Sequence, residues 1–310
     1  MTSSVGQARD SRNSPECWPS LPLESWEPTR ATLHMWTQIV GKVRLALTPL
    51  VNHWWNVPLY VSPRGLTTSP MPYRDLLIEI EFDFVSHELV LRKSDGKSAS
   101  ITLAPKSVAD FYGEFIAMLR SQGIDTKIWK MPVEIPDPIP FDQDKTHASY
   151  DSAVVHKFWR ILASSSDVFH DFRALFIGKS SPVHFFWGSF DLAVGRFSGR
   201  RAPARPGADK ITQEAYSHEV SAVGFWCGSG NVKEPSYYSY SSPEPAGFSD
   251  YHVAPAAASY RKDMGEFILP YEAVRTAHEP AAALFDFCQT TYEAAAINAK
   301  WDRAELERER

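Results

Sequence analysis

Cysteine is scarce in this sequence. Cys17, Cys227 and Cys288 are far apart in 310 residues, and none belongs to a CxxC pair. Disulfide scaffolds and cysteine-built zinc sites are recognised by paired or closely spaced cysteines. The spacing therefore argues against both classes and favours a reducing compartment.

Long apolar runs and a surplus of basic residues are absent as well. No stretch reaches the roughly eighteen apolar residues of a membrane-spanning helix, and the N-terminal residues lack the pattern of a signal peptide. The formal net charge of -5 argues against a general nucleic-acid binder, because such proteins need a cationic surface to displace counterions. We therefore expect a cytoplasmic protein that binds neither membrane nor nucleic acid.

Aromatic residues are abundant. Ten tryptophans, twelve tyrosines and eighteen phenylalanines bring the aromatic content to 13%. Such side chains bury large areas at low entropy cost, so they serve either a thick core or a stacking pocket. The chain is long enough for one large domain or for two of ordinary size.

The residue pattern divides the chain at a proline-rich connector. Residues 1–16 are polar and lack periodicity, which predicts a disordered tail. Residues 17–130 form a first half and residues 145–310 a second half. Prolines at high density favour an extended, stiff chain, and residues 131–144 contain four of them: Pro132, Pro136, Pro138 and Pro140.

Periodicity predicts the same order of elements in both halves. In the first half we expect a helix at 33–54 that Pro49 kinks or shortens, strands at 57–64, 76–85, 88–93 and 98–103, and a helix at 108–122. In the second half we expect a helix at 149–176 with breaks in the serine run 164–166. Strands follow at 183–197 (one long strand or a bent pair), 218–226, 237–240 and 265–269, and a helix closes the half at 281–300.

Both halves therefore have the order α-β-β-β-β-α, which predicts an α+β fold with two antiparallel sheets. Internal duplication explains the shared order. The alternative is that an unrelated α+β chain is divided into such a series by chance. If the duplication is real, the differences between the halves mark the more specialised half.

Two connections of the second half are longer than their counterparts in the first. Residues 198–217 are basic, and Arg196 precedes them. Because guanidinium groups match carboxylates and phosphates, this segment predicts an anion-binding loop, with a solvated basic loop as the alternative. Residues 241–264 are rich in aromatic residues and predict a lid or pocket wall. The basic residues of the first segment are Arg200, Arg201, Arg205 and Lys210.

Four residues of the second half form the candidate catalytic set: His184, Asp191, His218 and Glu219. Two histidines and a carboxylate can hold a first-row divalent metal, or they can act as acid and base without one. Strand alternation limits this set, because His218 and Glu219 point to opposite faces. His184 and Asp191 share a face only if Gly188 marks a bulge that resets the register. The simpler alternative is that all four are buried hydrogen-bonding groups.

Other polar motifs favour structural roles. Glu79, Glu81 and Asp83 alternate along one strand, and such an acidic row is typical of a solvated sheet face that Arg92 or Lys93 can neutralise. The sequence 53–55 (His-Trp-Trp) is more typical of a core cap than of a stacking platform. Cys227 has no basic neighbour in sequence that could activate it.

Several longer motifs resemble a known family. They are TLHMWTQIVGK at 32–42, NHWW at 52–55, HFFWG at 184–188, RFSGR at 196–200, SHEV at 217–220 and GFW at 224–226. Together they resemble the bacterial family catalogued as domain of unknown function 5996, over about residues 17–305. Cys227 departs from the family pattern, in which a proline is expected. The resemblance implies no activity and no catalytic residues.

We therefore expect a small-molecule enzyme acting on an anionic, partly apolar substrate, with a metal as one possible cofactor. Arg196, Arg200 and Arg201 would hold the anion, and His184 or His218 would handle protons or hold the metal. The pocket would be lined by Trp187, Trp226, Tyr238 and Tyr240. The alternatives are a non-catalytic module that binds a small molecule or peptide, and an interaction protein that uses an aromatic surface.

Overall fold

The computed structural model describes residues 12–229 and 232–308 and shows an α+β fold with two antiparallel sheets. The predicted fold class is confirmed. Each sheet has six strands where four were predicted, because the additional strands are too short to leave a period in the sequence. Each half begins with a long helix, continues with six strands and ends in helical structure. Their duplication stays a prediction.

The first half begins with a long helix and ends with a shorter one. Helix α1 (Glu27–Leu47) is followed by β1 (Tyr60–Val61), β2 (Gly65–Thr67), β3 (Met71–Tyr73), β4 (Leu76–Asp83), β5 (Glu88–Lys93), β6 (Ser98–Thr102) and helix α2 (Val108–Ser121). The strand order is β1-β2-β4-β5-β6, and β3 pairs with a second portion of β4.

The second half adds short helices to a similar frame. Its elements are α3 (Ser152–Ala174), β7 (His184–Phe186), β8 (Asp191–Arg201), α4 (Lys210–Ala215), β9 (His218–Trp226), β10 (Ser236–Ser242), β11 (Ser259–Arg261), β12 (Glu266–Pro270), α5 (Tyr271–Arg275), α6 (Pro280–Asn298) and α7 (Arg303–Leu306). The strand order is β11-β12-β10-β9-β8-β7. No helix among the described residues is long and apolar enough to cross a membrane.

Prolines set the limits of α1. Pro28 occupies the first turn, where a missing N–H costs little, and the helix stops at Leu47 before Pro49. The predicted shortening at Pro49 is confirmed, whereas the helix begins at Glu27 and not at the predicted Leu33. After Pro49 the chain forms a separate single 3-10 turn at Asn52–Trp54, in which His53 and Trp54 have positive φ.

The serine run predicted to break α3 lies inside one continuous helix. Serine weakens helices when its hydroxyl competes for the helix backbone. Here the Ser165 hydroxyl lies 2.8 Å from that of Tyr237, and Ser164 donates to the carbonyl of Cys17 at 2.7 Å. Tertiary partners thus occupy these hydroxyls, and the helix continues.

One core runs through both halves. Trp36 and Phe82 from the first half belong to the same cluster of buried apolar side chains as Phe158 and Phe225 from the second. The two sheets also meet at their edges, where Leu59 and Phe185 exchange both backbone hydrogen bonds at 2.9 Å. The halves are therefore one packed unit at this junction.

The predicted connector and tail are held by side chains. Residues 131–144 contain no helix or strand, and the Gln38 amide exchanges two hydrogen bonds of 2.9 Å with the Val133 backbone. Of the predicted disordered tail, residues 1–11 lie outside the described residues. Residues 12–16 form turns, where Arg12 pairs with Asp167 at 2.9 Å and Asp171 at 2.6 Å.

Candidate functional site

The two faces of the second sheet differ in character. Alternate residues of a strand point to opposite faces. On the side that we call the helix face, Leu192, Phe225 and Tyr237 belong to the main core beside α3 and α6. On the side that we call the outer face, a separate small cluster contains Phe197, Val220 and Ala222, with Trp55, Tyr216 and Tyr240 packed against it.

Small residues form the floor of the outer face. The strand register pairs Ala193 with Gly224 and Gly195 with Ala222. A Cβ at Gly224 would lie 2.3 Å from the hydroxyl of Tyr238, so only glycine leaves room for this phenol to lie over β9 and reach Asp191. We call these four residues the small-residue floor.

Aromatic rings border the small-residue floor on the β7 side, and the Tyr238 phenol covers Gly224 from the β10 side. On the β7 side, the ring centre of Trp55 lies 5.8 Å from that of His184 and 5.8 Å from that of Phe197. On the β10 side, Tyr238 and Tyr240 stack with their ring centres 6.2 Å apart. Small residues between aromatic walls suit a flat apolar group.

His184 is buried on the outer face without a hydrogen-bond partner. Its side chain lies among the rings of Trp55, Tyr60 and Phe186, the residue is 1% exposed, and neither ring nitrogen has a partner. Burial, together with the positive charge of Arg44 and Arg173, lowers the pKa of His184 to about 3. The imidazole is therefore neutral at pH 7 and has one free donor and one free acceptor.

Positive charge collects around His184 and along the same edge of the sheet. The Arg44 guanidinium lies 5.4 Å from the Tyr60 ring, and its Nε has no acceptor. The Lys179 ammonium lies 5.3 Å from the ring centre of Trp55, and Arg201 pairs with His218 in the strand ladder. Among the described residues none of these three cations forms a salt bridge. This edge therefore carries positive charge that no salt bridge among the described residues neutralises.

Lys179 and His53 form a hydrogen-bonded pair beside Trp55. The Lys179 ammonium donates to Nε2 of His53 at 2.7 Å, which requires that Nδ1–H of His53 donates to the carbonyl of Ala215 at 2.9 Å. Desolvation lowers the pKa of both groups. His218 lies against His53 with ring centres 5.6 Å apart. A proton can therefore move between the Lys179 amine and the His53 imidazole.

Buried acids and phenols occupy the opposite side of the outer face. Ser189 and Tyr238 donate to the carboxylate of Asp191, which has no cationic partner, and burial raises its pKa. Burial and the nearby charge of Asp191 raise the pKa of Glu266 to about 7. The hydroxyls of Tyr216 and Tyr240 lie 3.1 Å apart. This side therefore holds two acids with raised pKa values beside phenol hydroxyls.

The structure brings part of the predicted site together. The outer face carries His184, Asp191, His218, Trp226, Tyr238 and Tyr240, as the strand registers require. His184 and Asp191 share this face because a turn at 187–190 separates β7 from β8 and resets the register. That turn replaces the bulge considered at Gly188.

The predicted anion-binding arginines do not form one group. Arg196 points to the helix face, where its guanidinium lies 3.5 Å from the ring centre of Phe172. Arg200 pairs with Glu219 at 2.7 Å and donates to the carbonyl of Ala299 at the end of α6, where a cation stabilises the helix terminus. Only Arg201 lies beside the outer face, next to His218.

Trp187 and Glu219 also lie away from the outer face. Trp187 packs on Gly41 of α1 and donates its indole N–H to the carbonyl of Val57 at 2.9 Å. Glu219 points to the side opposite His218 and accepts from Ser198 as well as from Arg200. Their contacts are those of structural residues.

The four catalytic candidates do not converge on one ion. His184 lies at the level of Gly224, whereas His218 is six residues further along β9, and the rings of Trp55 and His53 lie between the two imidazoles. No group of three or more His, Cys, Asp or Glu side chains among the described residues is arranged to hold a metal. A metal shared by His184 and His218 is therefore incompatible with the register.

Sequence reasoning missed several residues of the outer face. Trp55 was assigned to a core cap, although its ring forms one wall above the small-residue floor. Arg44, Tyr60 and Lys179 come from other elements, and nothing in their local sequence shows which sheet face they approach. Glu266 lies within the predicted strand 265–269 and was not considered as a site residue. Only the alternation within β12 could have assigned it to a face.

The first of the two segments that suggested a site in the second half borders the outer face only through Arg201 and Tyr216, and the second has another role. Residues 198–217 contain the end of β8 and helix α4, whose N-cap Asp209 accepts from the N–H groups of Ile211 and Thr212. Residues 241–264 pack toward β12 and α6. Phe248 is buried against Phe267, and Thr290 accepts from the N–H of Ala254. The second segment therefore packs against the body of the protein, away from the small-residue floor.

Fold and site together define an α+β protein of two antiparallel sheets with a candidate small-molecule site on the outer face of the second. The chain belongs to the family of unknown function DUF5996, whose model matches residues 18–308. This match confirms the resemblance found in the sequence. No curated protein and no solved structure matches the chain.

Proposed function

We propose that the protein is an enzyme acting on an anionic, partly apolar small molecule bound on the outer face of the second sheet. The observation that carries this proposal is the unpartnered state of His184, which is 1% exposed, beside Arg44, whose Nε also lacks an acceptor. Buried polar groups without partners are rare and destabilising. A carboxylate or phosphate accepts hydrogen bonds from both groups and balances the charge.

The apolar part of the substrate would lie between Trp55 and Tyr238, whose phenol already covers Gly224 of the small-residue floor. Trp55 and Tyr238 present ring faces on its two sides, and both are half-buried. Because His184 is covered by Trp55 and Tyr60, these two rings are the ones that must move to admit the anionic group. Their partial exposure supports this route.

Acid–base chemistry would fall to groups that border the same floor. The Lys179–His53 pair supplies a base with a lowered pKa, and Glu266 with a pKa of about 7 is suited to proton transfer near neutrality. Cys227 is not assigned a role, because burial raises the pKa of its thiol to about 12. The negative net charge supports a protein without a nucleic-acid partner, and three widely spaced cysteines support a reducing compartment such as the cytoplasm.

A non-catalytic binding module is the second candidate. The observation that favours it is the low pKa of His184, about 3, which keeps this imidazole neutral and makes it a weak proton carrier at pH 7. In that case His184 and Arg44 hold the anion, and no bond changes.

One incubation distinguishes the two functions. The purified protein is mixed with a protein-free extract of bacterial small molecules, and both the solution and the protein-bound fraction are followed by mass spectrometry. We expect an anionic compound to be consumed by the native protein and to be retained unchanged by Lys179→Met. The variant His184→Phe should neither bind nor consume it.

Each other outcome has a distinct meaning. Retention without consumption by the native protein selects the binding module. Equal retention by the native protein and by His184→Phe would remove the outer face as the site. Consumption that is unaffected by both substitutions would place the reaction elsewhere.

A further inference from the structure

A cavity lies on the other side of the second sheet, between β8, α6 and the segment after α6. Its volume is about 410 Å³, which is within the range of small-molecule sites, about 300–1,000 Å³. The lining is almost entirely polar. It is therefore a separate feature from the aromatic outer face.

Arg196 is buried at this cavity without a counter-charge. It is 1% exposed, with its guanidinium between the rings of Phe172 at 3.5 Å and Tyr292 at 4.4 Å. One nitrogen donates to the carbonyl of Phe172, whereas Nε has no acceptor. A buried guanidinium is unfavourable unless it is paired, and ring contacts compensate only in part.

The acidic groups nearest to Arg196 are already engaged with other cations. Glu307 accepts from Arg303 at 2.5 Å and from the hydroxyl of Tyr292 at 2.8 Å. Glu293 accepts from the amide of Gln289 at 2.8 Å and lies 3.5 Å from Arg303. No salt bridge to Arg196 forms within the described part of the chain. The missing anion must come from outside these residues.

The cavity also offers hydrogen-bond acceptors that need donors. Oε1 of Gln289 is buried and has no partner. Asp286 lines the same cavity and forms no salt bridge among the residues described, and Thr290 adds a hydroxyl. Hydroxyl groups are the neutral donors that satisfy amide and carboxylate oxygens together.

We propose that this cavity binds a small polyhydroxylated carboxylate, with its carboxylate on Arg196 and its hydroxyls on Gln289, Asp286 and Glu293. The site is independent of the proposed function, because it lies on the opposite face of the sheet and shares no residue with the outer face. A carboxylate supplies the counter-charge of Arg196, and the hydroxyls supply donors for the open acceptors.

Three matched probes test the proposal by calorimetric titration of the native protein. Gluconate carries a carboxylate and hydroxyls, sorbitol carries the hydroxyls alone, and hexanoate carries the carboxylate alone. We expect gluconate to bind at least about tenfold more tightly than either of the others, since each loses one set of hydrogen bonds. Equal affinity for gluconate and sorbitol, or no binding of gluconate, would overturn the proposal.

Two variants assign the contacts. Arg196→Gln should weaken gluconate about tenfold or more, and Gln289→Met should reduce the preference for gluconate over hexanoate. If Arg196→Gln does not fold, Gln289→Met and the three probes still decide. His184→Phe should bind gluconate as the native protein does, and loss of binding in that variant would assign the probe to the outer face instead.

Discussion

The buried polar side chains of the two sheets differ in whether they have hydrogen-bond partners. In the first sheet the acidic row is satisfied: Glu79 accepts from Thr67, Glu81 from Ser62 and Arg92, and Asp83 from Arg64 and from two backbone N–H groups. On the outer face of the second sheet, His184 has no partner, and Asp191 has two hydroxyl donors but no cation.

Buried polar groups that have all their partners differ in role from buried polar groups that have none. A buried charge that has all its partners contributes to the folded state, and removing it leaves those partners unsatisfied. A buried polar group that has none costs stability and is retained for another reason. The acidic row of the first sheet therefore serves the fold. The groups on which our functional proposal rests lie on the outer face of the second sheet, with Arg44 and Tyr60 of the first half beside them.

The strongest test of the comparison is a pair of substitutions. Asp83→Ala should lower the free energy of unfolding by about 2 kcal/mol, because the buried carboxylate loses its hydrogen bonds to Arg64 and to the N–H groups of Val85 and Ser86. His184→Phe should change it by less than about 1 kcal/mol, because no hydrogen bond is lost. Urea denaturation measures both.

The control for the pair is a histidine that has a partner. His147 lies 2.7 Å from the Asp144 carboxylate, so His147→Phe should cost about 1 kcal/mol, more than His184→Phe. The same cost at both histidines would contradict the distinction between the two regions.

The small-residue floor is tested by adding one methyl group. Gly224→Ala places a Cβ 2.3 Å from the Tyr238 hydroxyl and 2.6 Å from the carbonyl oxygen of Leu192, so Tyr238 must leave Asp191. We expect a loss of about 2 kcal/mol in the free energy of unfolding. Gly113→Ala in helix α2, where nothing lies within 4 Å, should instead stabilise by about 0.5–1 kcal/mol. Neutral behaviour of Gly224→Ala would show that the floor is not closely packed.

The pH dependence of stability should depend on His184. Its pKa is lowered from 6.5 to about 3, so the unfolded chain binds the additional proton between these values and stability falls as the pH decreases. Relative to His184→Phe, the native protein should lose up to about 1.4 kcal/mol per pH unit from about pH 6 to pH 4. Thermal or urea unfolding across this range gives the difference. Parallel curves for the two proteins would show that His184 titrates normally.

The smallest expected effect concerns the carboxyl groups on the outer face. Glu266 has a pKa of about 7 because of burial and the charge of Asp191. Asp191→Asn removes that charge and should lower the pKa of Glu266 by a fraction of a unit, with burial still keeping it above 4.5. Carbon-detected NMR titration of the glutamate carboxyls would resolve it. An unchanged pKa would mean that Asp191 is already protonated.

Regular strands and helices were predictable because their period is local. Residues 88–93 and 218–226 form β5 and β9 with the predicted bounds, and the Asp95-Gly96 turn places Gly96 at a φ of 85°. β2, β3 and β11 have three residues each, which is too short for alternation to be recognised. Their existence depends on pairing with neighbouring strands.

The site was predictable only along single strands. Alternation correctly placed His218 and Glu219 on opposite faces of the sheet. It also places Arg196 and Asp191 on opposite faces, and the prediction that both belong to one site overlooked this. Arg44, Trp55 and Lys179 reach the outer face from α1, from the turn after it and from the loop after α3. Such convergence depends on tertiary packing, which no spacing in the chain encodes.

The contact between Leu59 and Phe185 has a consequence for either half when it is produced alone, and for how the two halves evolved. Each sheet uses the other to cover one of its lateral strands, so neither strand offers free backbone groups at that position. A half produced alone would present this bare edge to other chains, which is the geometry that starts intermolecular β pairing and aggregation. If the halves arose by duplication, the ancestral unit would have needed a second copy of itself to protect the same edge.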